Sequence, residues 1–224
     1  MIKVYLFSAM VSFVFALPPI PPAHATELGP DKNTSLKIFE KVSKKRIQEL
    51  HQHAKRNGYS TRYGIFANLQ LNSGKKRFYL VDLENNTLQE EALVTHGHCK
   101  EDQEGVRFSN VAETNCSSEG KYSIGKSYYG IFGLAYKLHG LDKTNSNAFA
   151  RHIVLHAHEC VYDQTWPTEI CESEGCPTVS PKVLQKLKSI IETETKPIIL
   201  WIYKDPINTS NIVFAFGSSL IDSA

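Results

Sequence analysis

The sequence has no excess of either charge: 25 Lys and Arg face 23 Asp and Glu, a formal net charge of +2. Binding a phosphate backbone needs a basic surface, so a nucleic acid is excluded as the main partner. Long apolar runs are missing beyond the first 17 residues, and no other segment approaches the roughly 20 residues that cross a bilayer. No internal repeat of architectural length is visible. Cysteine is sparse, five in 224 residues, and the odd count leaves one thiol without a partner.

What is present begins with an export pattern. Lys3 gives a positive start, Val4 to Leu17 is almost unbroken apolar, and a Pro-rich stretch ends in Ala23-His24-Ala25, a small-x-small cleavage pattern. Residues 1–25 therefore read as a signal peptide, with an uncleaved anchor as the alternative. No Cys lies near the cleavage point, which argues against a lipid anchor. Residues 26–60 read as a linker and helix, and 61–224 as one strand-rich domain. After export, thiols in an oxidising compartment pair, so the fifth cysteine is a partner for another chain or a reactive group.

Leu36, Phe39, Val42, Ile47, Leu50 and Ala54 recur at roughly helical spacing, with Asn33 to Ser35 as a possible cap and Asn57-Gly58 as a stop. Arg62 to Leu71 and Lys76 to Leu83 read as a hairpin turning at Asn72-Ser73-Gly74. Leu88 to Thr95, Tyr128 to Leu138, Ile153 to His158 and Ile198 to Tyr203 are further expected strands. Ser180 as cap, Pro181 in the first turn and Val183, Leu184, Leu187, Ile190 and Ile191 on one face predict a helix.

The chemistry gathers between Arg151 and Pro177. Ile153-Val154-Leu155-His156 puts an imidazole at the end of an apolar strand, and Ser173-Glu174-Gly175-Cys176-Pro177 follows about 20 residues later. Attack by sulfur needs the thiolate, and an imidazole that takes its proton is the usual solution. Gly175 lets the backbone come close, so its N–H and that of Cys176 could face a developing oxyanion. The plain alternative is a core histidine and a buried or paired thiol; spacing alone leaves both open.

Several further pieces stand in order: Val94-Thr95-His96-Gly97, Phe108-Ser109-Asn110, Ser117-Ser118-Glu119-Gly120-Lys121-Tyr122, Tyr129-Gly130-Ile131-Phe132-Gly133, His139-Gly140-Leu141-Asp142, and Asn145 through Arg151 to His156. With Ser173-x-Gly175-Cys176-Pro177 they resemble the L,D-transpeptidase catalytic (YkuD-like) family, more closely its murein L,D-transpeptidase catalytic-domain-like branch, from about Phe78 to Tyr203. The resemblance implies a mainly β, α+β domain of sandwich or barrel-like form with flanking helices. It implies an exported enzyme of the bacterial periplasm or envelope that acts on peptidoglycan stem peptides, and on a wall-attached protein if one serves as acceptor, without a cofactor. Carried over, Cys176 is the nucleophile, His156 the base and later the acid, and Ser173 and Gly175 shape the oxyanion site. Arg151, His96 and Asn110 become substrate-binding positions, although a structural ion pair is an equal reading of Arg151. Two departures stand out: Glu174 replaces the His of the commonest motif, and Pro177-Thr178 replaces a branched residue followed by Arg or Asn. They leave transfer and hydrolysis both open.

Thr95-His96-Gly97-His98-Cys99 echoes His156-Ala157-His158-Glu159-Cys160, and two His-x-His pairs with nearby Cys suggest a rival, a zinc-dependent hydrolase. Strand alternation puts both His of such a pair on one face with no metal. A third reading keeps a wall-binding cleft without the reaction. Pairing Cys99 with Cys116 and Cys160 with Cys171 closes two short loops and frees Cys176, but four cysteines allow three connectivities, and a Cys171–Cys176 bridge would mask the thiol.

Overall fold

The computed structural model describes residues 38–39, 41–100 and 107–205. The expected signal peptide, Leu36 and the Asn33–Ser35 cap lie outside the described residues. Helix α1 spans Lys44–Asn57 and is capped by Ser43, whose hydroxyl accepts from Arg46 N at 3.3 Å. Ile38 and Val42 are buried with it, but the periodic run is broken ahead of Lys44 rather than continuous from Leu36. Gly58 ends α1 in the left-handed region that glycine tolerates best, at φ 76°.

Eight strands follow: β1 Tyr63–Asn68, β2 Phe78–Asp82, β3 Thr87–Ala92, β4 Gly120–Gly130, β5 Gly133–Gly140, β6 Val154–Ala157, β7 Thr178–Val179 and β8 Ile199–Tyr203. They form one sheet in the order β3-β2-β1-β8-β4-β5-β6-β7, antiparallel except for β1–β8 and β6–β7. The expected hairpin between β1 and β2 is present. Tyr128 to Leu138 is not one strand: β4 and β5 turn back on each other at Ile131-Phe132, with Gly130 opposite Gly133. Apolar composition does not mark strand continuity here. Ile131 is 94% exposed, so its apolarity does not mark burial.

The sheet closes towards a barrel through the segment after β3. Thr95 N donates to Thr178 O at 3.0 Å, and Ser173 N donates to His96 O while His98 N donates to Ser173 O, both at 2.9 Å. The two edges are thus tied together, which satisfies backbone groups that an open edge would expose. Inside lie Ile65, Phe78, Leu80, Tyr122, Tyr136, Leu138, Leu155 and Leu200. Helix α2, Pro181–Ile191, adds Val183, Leu184 and Leu187 to this cluster, and its Ser180 cap accepts from Val183 N at 3.2 Å.

On the other face of β1, β2 and β8, Phe66, Tyr79, Val81, Ile199 and Trp201 pack against Ile47, Leu50 and Ala54 of α1. Because both faces are covered, β2 and β8 are buried throughout instead of alternating. Among the described residues no α-helix covers the outer face of the β4–β5–β6 half, where His156 lies. Disulfides join Cys99 to Cys116 and Cys160 to Cys171, and Cys176 is the free cysteine. No helix of the described residues is long and apolar enough to cross a membrane.

Candidate active site

Cys176 sits between β6 and β7 on a loop shaped by its neighbours. Ser173 Oγ donates to Cys176 O at 2.6 Å and accepts from Gly175 N at 3.2 Å. Gly175 has φ 109°, and a Cβ there would lie 2.7 Å from Cys116 O, so both conformation and space demand glycine. Its carbonyl accepts from Ser117 Oγ at 3.3 Å, and Ser117 Oγ in turn accepts from Gly97 N at 3.0 Å. The Gly175 N–H therefore already has an acceptor in Ser173 Oγ. Among the described residues the Cys176 N–H meets no backbone or side-chain acceptor.

The half-buried Cys176 places its sulfur 3.4 Å from the Val154 N–H and 3.9 Å from His152 O. Burial pushes the thiol above its ordinary value; the Val154 N–H and the Arg151 cation pull it down, and exposed Glu174 pushes it up. The resting group is a neutral thiol.

His156 lies on β6, paired with Thr178 of β7 and Ala135 of β5. Its Nδ1 is 3.1 Å from Ala157 O and its Nε2 is 3.0 Å from Thr178 Oγ1. A carbonyl can only accept, so Nδ1 carries the proton and Nε2 keeps a lone pair that accepts from the Thr178 hydroxyl. Burial lowers the pKa of His156, with the Ala157 carbonyl opposing it, and the ring is neutral near pH 7. Phe132, from the β4–β5 turn, stacks on it with ring centroids 4.6 Å apart. Thiol and imidazole share this end of the sheet without a direct hydrogen bond between them among the described contacts.

The other expected site residues have occupants. Arg151 precedes β6 rather than lying on it; its Nη1 donates to Ser109 O at 2.8 Å and Ser118 Oγ at 2.5 Å, and its Nη2 to Cys116 O at 2.7 Å. It clamps the 107–118 segment, and its partners are carbonyls and a hydroxyl rather than a carboxylate. Asn110 donates to Lys143 O and Ser146 Oγ and accepts from Asn147 N, which ties the same segment to the turn of 3-10 helix at Lys143–Asn145.

His96 is 4% exposed. Arg77 Nη2 lies 2.8 Å from its Nδ1, and since guanidinium only donates, Nε2 carries the proton and faces Glu172 Oε1 at 3.4 Å. Burial and Arg77 lower its pKa to about 4. Arg77 is fully buried and also donates to Val94 O and Leu71 O. The His-x-His pairs do not assemble a ligand set: Cys99 and Cys160 are in disulfides, and among the described residues no group of three or more His, Cys, Asp or Glu is placed to hold a metal.

Thr178, Phe132, Ser117, Arg77 and Glu172 also contact the expected site residues, although the sequence alone does not mark them. Thr178, Phe132 and Ser117 stand inside ordered motifs, Pro177-Thr178, Tyr129–Gly133 and Ser117–Tyr122, and these are the signal the sequence offers. Arg77 gives none, because its partners are 6 to 19 residues away and reached only through the fold.

A family model for the L,D-transpeptidase catalytic domain matches residues 32–203, most of the chain. The chain belongs to that family. No curated protein matches it closely enough to count. Similar solved structures include the helical cell shape determining protein Pgp2 from Campylobacter jejuni (13% identity, 65% of this chain and 49% of that one, TM-score 0.44). An L,D-transpeptidase from Xylanimonas cellulosilytica (residues 123–326) is 14% identical over 68% of each chain, with TM-score 0.35. One from Mycobacterium smegmatis is 9% identical over 63% of this chain and 58% of that one, with TM-score 0.39. The chain spans about half the length of the Campylobacter protein.

Proposed function

We propose that the protein is an exported cysteine acyltransferase of the bacterial envelope that acts on peptidoglycan stem peptides. The observation that carries this is the free Cys176 on a glycine-shaped loop two residues before Thr178, which pairs with His156 across the sheet, inside a chain of the L,D-transpeptidase family.

Cys176 Sγ adds to the carbonyl of a diamino-acid residue that precedes a terminal D-residue, and its proton passes to His156 Nε2. That nitrogen must first release the Thr178 hydroxyl, whose oxygen lies 3.5 Å from Cys176 O, an acceptor towards which the hydroxyl can turn. The Cys176 N–H donates to the oxyanion. The C–N bond to the D-residue breaks, His156 returns the proton to the leaving amine, and a thioester remains. A stem-peptide amine, or one on a wall-attached protein, resolves it into a new amide; water resolves it into a carboxylate. Both outcomes restore the thiol.

Incubation of isolated sacculi with wild-type and Cys176→Ala protein tests the reading. New cross-links or shortened stems with the wild type alone support it; identical products from both proteins contradict it.

A further inference from the structure

The strand register aligns a second set of groups on the face that carries His156. Ala135 is opposite His156 and Lys137 opposite Val154, while Tyr128 of β4 is opposite Ala135, so all these side chains project to one side. Lys137 is exposed and lies between two partly exposed rings, with Nζ 5.7 Å from the Tyr128 centroid and 5.5 Å from that of Phe149. No carboxylate of the described residues forms an ion pair with it. Val154, directly across from it, is the residue whose N–H touches the Cys176 sulfur. Directly paired residues have Cα atoms about 5 Å apart, so the lysine stem starts one strand from the thiol.

We propose that Lys137, steadied by Tyr128 and Phe149, is the anchor for the terminal carboxylate of the peptide that acylates Cys176. The inference rests on the acyl-transfer reading. The leaving D-residue puts its carboxylate one residue beyond the attacked carbonyl, a span of about 3.8 Å between Cα atoms. Arg151, a cation whose charge reaches the thiol, already holds two carbonyls and a hydroxyl. Lys137 is a flexible cation whose neighbours are rings, which compete weakly with a carboxylate.

The test is calorimetric binding of a tetrapeptide stem, as free acid and as C-terminal amide, to Cys176→Ala protein with and without Lys137→Ala or Lys137→Arg. Lys137→Ala is expected to weaken the acid by about tenfold or more, the scale of one charge-assisted hydrogen bond, and to leave the amide within about twofold. Lys137→Arg keeps most of the preference for the acid. Equal effects on acid and amide, or none, overturn the anchor, and thermal midpoints taken in parallel exclude misfolding as the cause. Intact-mass acylation of the Lys137-intact enzyme separates the two readings. If acylation occurs but Lys137 does not discriminate, only the anchor falls; if Lys137 discriminates but nothing is acylated, only the reaction falls. Binding of neither peptide overturns both.

Discussion

At the scale of single residues, burial disfavours the charged forms of Cys176, His156 and His96. Because burial raises the Cys176 thiol, iodoacetamide, which needs the thiolate, should alkylate it with a midpoint above the roughly 8.5 of a free cysteine. A midpoint near 6 would instead show a preformed thiolate–imidazolium pair. His96 makes a prediction about stability. Its folded pKa of about 4 lies below the unfolded value of 6.5, so between these values the unfolded chain binds the proton. Its neutral burial contributes fully above pH 6.5 and is lost as pH falls towards 4, by up to about 3 kcal/mol. Urea midpoints at pH 7 and pH 5 should therefore fall further in the wild type than in His96→Gln; equal falls would rule out His96 as the titrating group. Cys176 and His156 stand out in the sequence by residue type and position, but spacing leaves a core histidine and a paired thiol open, and only the ordered motifs around them favour a nucleophile and its base. The duties of Arg151 and Asn110 were not legible, since a charged or amide side chain reads the same in sequence whether it meets substrate or backbone carbonyls.

Among the elements, the loop carrying Cys176 depends on contacts from three directions: Ser173 within it, Ser117 from the 107–118 segment, and the backbone after β3. Gly175→Ala would combine strain at φ 109° with a clash against Cys116 O. It should remove activity and cost roughly 1–3 kcal/mol by denaturant titration, whereas unchanged activity would mean that the loop does not position the thiol. Helix α2 was readable in full because Ser180, Pro181 and the apolar spacing agree. The β4–β5 turn was hidden because its tip, Ile131 and Phe132, is as apolar as a core strand; Phe132 there covers His156. The two-residue β7 is too short to carry any periodicity.

On the scale of the whole molecule, α1 shields one half of the sheet, and no α-helix of the described residues covers the outer face of the β4–β6 half. Leu50 is fully buried between α1 and that shielded face, so Leu50→Ala should destabilise the protein by about 2–5 kcal/mol in equilibrium unfolding while the folded fraction keeps its turnover. A loss below about 1 kcal/mol would mean that α1 is not integral to the domain. The mainly β class was visible from turn and strand signals, but the near-closure of the sheet was not, because it rests on pairing between residues about 80 apart, Thr95 with Thr178. The central claim is that Cys176 is the acylated nucleophile. Intact-mass spectrometry after incubation with a tetrapeptide stem or a carbapenem tests it most directly. The expected result is one covalent adduct per chain that maps to Cys176 and is absent from Cys176→Ala. An unmodified wild type, or an adduct that survives the substitution, would contradict it.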